Sequence, residues 1–150
     1  DLSDEICALD HFKTLTHLIG RWMEVNCLPK AICDTGHNVG GWQYLVPQIK
    51  AQPCKQLRIV FGMVDDKDID TVMGMLPKQA IYYWTQATTK RAIPADKVSD
   101  KALQYGLSGH IYKSVKEAYS HALAEADNAD FIFIGGSSYI VADLLSSVEK

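Results

Sequence analysis

The chain has 150 residues, of which 47% are hydrophobic and 22% charged, and its formal net charge is −3. A single domain of that size buries roughly 70% of the surface its unfolded form exposes, so it needs neither a disulfide framework nor a structural metal for stability. The slightly acidic balance, with Lys and Arg scattered, argues against a nucleic-acid groove, and no apolar run approaches the ~18 residues of a membrane span.

The cysteines at 7, 27, 33 and 54 form no CxxC pair, and they are expected to be reduced thiols in a cytoplasmic protein. The chain begins with Asp1 and no targeting signal accounts for that start, so a segment of a longer protein is expected. In this reading residues 1–19 are a lead-in from a preceding domain or linker, and residues 20–150 are one folded domain.

In chain order, Ile6, Leu9, Phe12, Leu15 and Leu18 recur at three-residue steps, a helical lead-in that Gly20 ends. Trp22–Cys27 and Lys30–Cys33 flank Leu28-Pro29 and predict a β-hairpin. Trp42, Leu45, Val46 and Ile49 predict a helix that Pro47 should kink or shorten. A strand follows at Leu57–Phe61 and a helix through Ile69, Val72, Met73 and Leu76. Ala80–Trp84 is β-branched and aromatic, hence a strand. After the loop 85–94 come a helix around Lys97–Tyr105 and a short strand near His110–Tyr112. Ser114 and Glu117 form a capping box that opens a helix through Leu123. Phe131–Ile134 is a continuous apolar strand, Gly135–Ser138 a turn, and Tyr139–Val148 the last helix. Strand and helix alternate after the hairpin. The expected fold is therefore α/β and Rossmann-like, with three layers: a mostly parallel sheet of about six strands, an antiparallel edge hairpin, and helices on both faces.

In such sheets ligands bind beyond the carboxyl ends of the strands. The turn Asp34-Thr35-Gly36-His37-Asn38 leads from a strand into a helix, whose first amides suit an anionic or polyhydroxyl ligand. Asp34 can accept from ribose hydroxyls, and His37 and Asn38 can donate to phosphate or carboxylate oxygens. Capping of the helix by Asp34 or Asn38 explains the same residues equally well. Hairpin pairing would place Arg21 beside Asp34, either on a phosphate or paired with the carboxylate. Ser137, after Gly135-Gly136, can cap a helix or hold a carboxylate. Arg91, beside Thr88, Thr89 and Lys90, is a candidate carboxylate clamp, and Asp65–Asp68 reads as a solvated charge cluster. No GxxxxGK[ST] loop, GxGxxG turn or GxSxG elbow is present.

Gly20-Arg21-Trp22 followed by Ile32-Cys33-Asp34-Thr35-Gly36-His37-Asn38 resembles the start of the C-terminal domain of the folylpolyglutamate synthase and dihydrofolate synthase family, in the Mur ligase superfamily. Further blocks agree in order: Val60–Met63 with Asp66–Asp68, Arg91-Ala92 before Pro94-Ala95, and Ser114-Val115 with Glu117-Ala118, running to Gly136–Tyr139. The resemblance spans about residues 18–145. It implies an ATP-dependent ligase that activates a folate or dihydropteroate carboxyl as an acyl phosphate, which L-glutamate attacks. It also implies an N-terminal ATPase domain that carries the phosphate loop, the Mg2+ ligands and the folate site. By the same resemblance Arg21 and Asp34, with Asn38, contact ATP; His37 lies near the reacting groups; Ser137, with Arg91, serves glutamate. No nucleic acid, membrane or metal bound by this chain itself is implied. Gly36 stands where the family usually has Ala, and Ser138 where Leu is common. Two other readings stay open: a stand-alone nucleotide- or anion-binding module, and a Mur-type peptidoglycan amino-acid ligase domain.

Overall fold

The computed structural model describes residues 22–64 and 68–148. The expected lead-in helix, Gly20, Arg21 and the Asp65–Lys67 part of the charge cluster lie outside them. The described strands are β1 (Met23–Asn26), β2 (Lys30–Asp34), β3 (Leu57–Phe61), β4 (Ala80–Trp84), β5 (Gly109–Ile111) and β6 (Phe131–Gly135). The helices are α1 (Val39–Lys50), α2 (Ile69–Met75), α3 (Ala95–Gln104), α4 (Val115–Glu125) and α5 (Ser138–Val148).

The strands form one six-stranded sheet in the order β1-β2-β6-β3-β4-β5. β1 runs antiparallel to β2, and every other pair is parallel. This is the expected three-layer fold with its edge hairpin. Successive side chains of a strand point to opposite faces, so a strand buried on both sides must be apolar throughout. β6 meets that requirement. Phe131 and Phe133 join the core beneath α1, α2 and α3, while Ile132 and Ile134 join the one beneath α4 and α5. The last strand of the chain thereby becomes a central one, between β2 and β3.

Pro47 does not end its helix. α1 continues to Lys50, and the carbonyl of Pro47 still accepts from Ala51 N at 3.0 Å. Pro47 is exposed and in the last turns of α1, where the helix forgoes the bond that Pro47 cannot donate. The Ser114 cap forms as expected, its Oγ accepting from Glu117 N at 3.1 Å. Cys33 and Cys54 are free, and burial pushes the Cys33 thiol up to about 12. Cys27 is disulfide-bonded, which corrects the expectation that every cysteine is reduced.

Candidate functional site

β2 delivers Asp34 to the carboxyl edge of the sheet at only 6% exposure. Both carboxylate oxygens are engaged there. Oδ1 accepts from Gly36 N at 2.8 Å, which folds the turn back on itself, and Oδ2 accepts from Trp22 N at 2.8 Å, across the mouth of the hairpin. Trp22 packs its ring against Phe131 and Phe133 and has φ +46°, the one positive φ outside glycine among the described residues. A bulky residue adopts that conformation only when its surroundings impose it.

Asp34→Asn should therefore destabilise the chain by about 2 kcal/mol, because the new amide would turn an N–H toward one of these donors. A urea unfolding curve measures this; an unchanged midpoint would mean that neither bond matters.

Gly36 sits where an added Cβ would lie 2.7 Å from Leu45 Cδ1. Leu45 fills the space that a side chain at position 36 would take. Asn38 is the cap of α1, its Oδ1 accepting from Gly41 N at 2.8 Å. The backbone N–H groups of His37, Asn38, Val39 and Gly40 have no partner among the described residues. Four unpaired donors at a helix N-terminus make a positive concavity. His37 is exposed, with Nδ1 3.4 Å from the Thr35 carbonyl oxygen.

These groups line an open cleft of about 730 Å³, which Trp22, Tyr44, Leu45 and Gln48 complete. Tyr44 is 68% exposed, and the Gln48 Oε1 is buried without a partner. Sequence reading missed Tyr44 and Gln48. The only signal was their spacing: four and eight residues after Gly40, they share the face of α1 that looks into the cleft.

The remaining candidates are distributed along the same edge. Asp34 is in register with Gly135, so the turn after β6 adjoins the turn after β2. Ser137 is 1% exposed, and its Oγ accepts from Ile140 N at 3.1 Å, capping α5. Arg91 is exposed on the 85–94 loop, and its guanidinium has no partner among the described residues. That loop leaves from β4, three strand spacings or about 14 Å from Asp34. The structure thus joins Asp34, His37 and Asn38 in one cleft, sets Ser137 beside it, and roots Arg91 farther along. Among the described residues no cluster of three or more His, Cys, Asp or Glu could hold a metal ion, and no helix is long and apolar enough to cross a membrane.

Comparison with known proteins agrees with this architecture. The dihydrofolate synthase/folylpolyglutamate synthase of Escherichia coli K12 is 31% identical over 134 residues, covering 88% of this chain and 31% of that protein. Among solved structures, E. coli FolC in complex with DHPP and ADP superposes with a TM-score of 0.79 at 28% identity, over 88% of this chain and 31% of that one. A bifunctional folylpolyglutamate synthase/dihydrofolate synthase with Mn, AMPPNP and L-glutamate bound gives 0.76 at 27%, over 89% and 32%. The chain therefore spans about a third of the length of these relatives. Residues 20–138 match the family described as Mur ligase, glutamate ligase domain, and the chain belongs to that family.

Proposed function

We propose that this domain forms one wall of the active site of an ATP-dependent ligase that joins L-glutamate to a folate or dihydropteroate carboxyl through an acyl phosphate. The observation that carries the reading is the cleft at the N-terminus of α1. Four unpaired amides stand there beside Asp34 and His37, in a chain of the glutamate ligase domain family.

An acyl phosphate must be kept from water while an amine approaches it, and two walls that close together achieve this. In this reading the other wall is an N-terminal ATPase domain of the same polypeptide, which also holds Mg2+. The amides of residues 37–40 receive phosphate oxygens. Arg21 adds a cation, and His37 donates a hydrogen bond to the reacting group. Asp34 chiefly shapes the turn, because both its oxygens already accept backbone N–H groups. Its remaining lone pairs are free for a ribose hydroxyl. Ser137 holds the turn that meets the glutamate carboxylate, since at 1% exposure it offers little direct contact.

The test is steady-state turnover of the full-length protein with ATP, Mg2+, dihydropteroate or folate, and glutamate. ADP release should depend on glutamate. His37→Ala should lower kcat on the order of 100-fold, and Arg21→Ala and Asp34→Ala should each raise the ATP requirement. The 150-residue chain alone should turn over nothing. Ligation by that chain alone would overturn the half-site, and glutamate-independent turnover by the full-length protein would overturn the ligase.

A further inference from the structure

The loop between β4 and α3 crosses over the carboxyl edge from one face of the sheet to the other. Ala87, near its start, packs into the core beneath α4 and α5, whereas Ile93, near its end, packs against the core on the opposite face. Both ends are fastened. Ile93 N donates to the Met63 carbonyl at 2.8 Å, and Ala95 N donates to Gln86 Oε1 at 2.9 Å.

The third fastening is more specific. Asp143 of α5 accepts from Thr88 N at 2.8 Å through Oδ2, and from Thr88 Oγ1 at 3.0 Å through Oδ1 and 3.2 Å through Oδ2. Asp143 lies five residues after Ser138, about 7.5 Å along the helix that starts beside the Gly135–Ser137 turn. The clip therefore draws the loop back from β4 toward the end of β6.

Lys90 and Arg91 lie at the crest between these pins. They are adjacent and exposed, and neither side chain has an ion pair or hydrogen bond among the described residues. Two neighbouring cations repel each other, and a free loop would separate them from the site. Asp143 spends its oxygens on Thr88 and leaves both cations uncompensated.

We propose that Asp143 is a positioning residue that, through Thr88, holds Lys90 and Arg91 over the carboxyl edge to receive a carboxylate of the incoming amino acid. This rests on the ligase reading above and deepens it. Two fixed cations suit a dicarboxylic amino acid better than a monocarboxylic one, because one can meet each carboxylate.

The test is kinetics of the full-length protein with glutamate varied at saturating ATP and the converse, joined to hydrogen exchange. In Asp143→Asn the new amide would point an N–H at the Thr88 donors. The KM for glutamate should rise about tenfold while kcat and the KM for ATP stay within about twofold. Exchange at the Thr88 amide should quicken, and that at Ile93 should not. Asp143→Glu should recover part of the loss, and Thr88→Val should give a smaller rise in the same direction. Lys90→Ala with Arg91→Ala should reproduce the rise without lowering Tm.

A wild type with glutamate-dependent turnover but an unchanged glutamate KM in Asp143→Asn overturns this inference alone. Equal rises in both KM values, or unaltered Thr88 exchange, do the same. A wild type with no glutamate-dependent turnover overturns the ligase reading, and with it the substrate assigned to these cations.

Discussion

Gly136→Ala is expected to cost the domain on the order of 4 kcal/mol or more, enough to leave much of the chain unfolded. Two penalties combine. Gly136 has φ +116°, a conformation closed to residues that carry a Cβ. A Cβ placed there would also lie 2.0 Å from the Gly62 carbonyl oxygen, 3.0 Å from its carbon and 3.1 Å from its nitrogen. All three are backbone atoms, so no side-chain rotation relieves the clash. Separation of the chains is blocked too, because β6 and β3 pair along Phe131–Gly135 and Leu57–Phe61, and Gly62 N donates to the Gly135 carbonyl at 3.3 Å. Urea denaturation of the variant against the wild type measures the loss. A cost under about 1 kcal/mol would show that the centre of the sheet can part at this edge, contrary to its packing.

Arg58→Ala should cost about 3–5 kcal/mol, the usual consequence of leaving one member of a buried ion pair behind. Arg58 leaves β3 near its amino end with a side chain 11% exposed. Its Nε donates to Asp130 Oδ2 at 2.9 Å, and its terminal nitrogens donate to the Tyr83 hydroxyl at 2.8 Å and the Glu125 carbonyl at 3.2 Å. Tyr83 in turn donates to Glu125 Oε1 at 2.7 Å. The Asp130 side chain is 2% exposed, and its Oδ1 has no partner. Without Arg58, that carboxylate would keep only the Asp127 N–H, at 3.1 Å, to offset its removal from water. Asp130→Asn combined with Arg58→Met should therefore be milder than the sum of the single changes. The network lies at the amino edge, opposite the cleft. Arg58→Ala should thus lower the urea midpoint while leaving the properties of the remaining folded molecules at the cleft unchanged. Loss of both together would contradict that separation.

Elements whose cause is local were legible in the sequence. Apart from Arg58, Leu57–Phe61 and Ala80–Trp84 are apolar and aromatic because they are buried between helices, and their limits in the structure are those expected. The Leu28-Pro29 hairpin and the Ser114 cap follow equally from adjacent residues. Long-range pairing was not legible. Nothing near Phe131 marks it as a strand between β2 and β3, and Arg58 and Asp130 are 72 residues apart. Pro47 is the opposite case: a local signal for a shorter helix, against which Trp42, Leu45, Val46 and Ile49, buried along one side of α1, carry it on to Lys50.

At the site, residue types identified the turn but not how each atom is used. Asp34, Asn38 and Ser137 each suited either a cap or a ligand. In the structure all three hold backbone N–H groups, and the open donors are main-chain amides, which have no signature in a sequence.

The two oxygens of Asp34 have one further consequence. One closes the mouth of the β1–β2 hairpin at Trp22, and the other closes the turn at Gly36. The edge of the sheet and the floor of the cleft are thereby fastened by a single rivet. A pull on the chain where it runs into β1 reaches the cleft without passing through the core. Fraying at that edge and loss of shape in the turn become the same mechanical event.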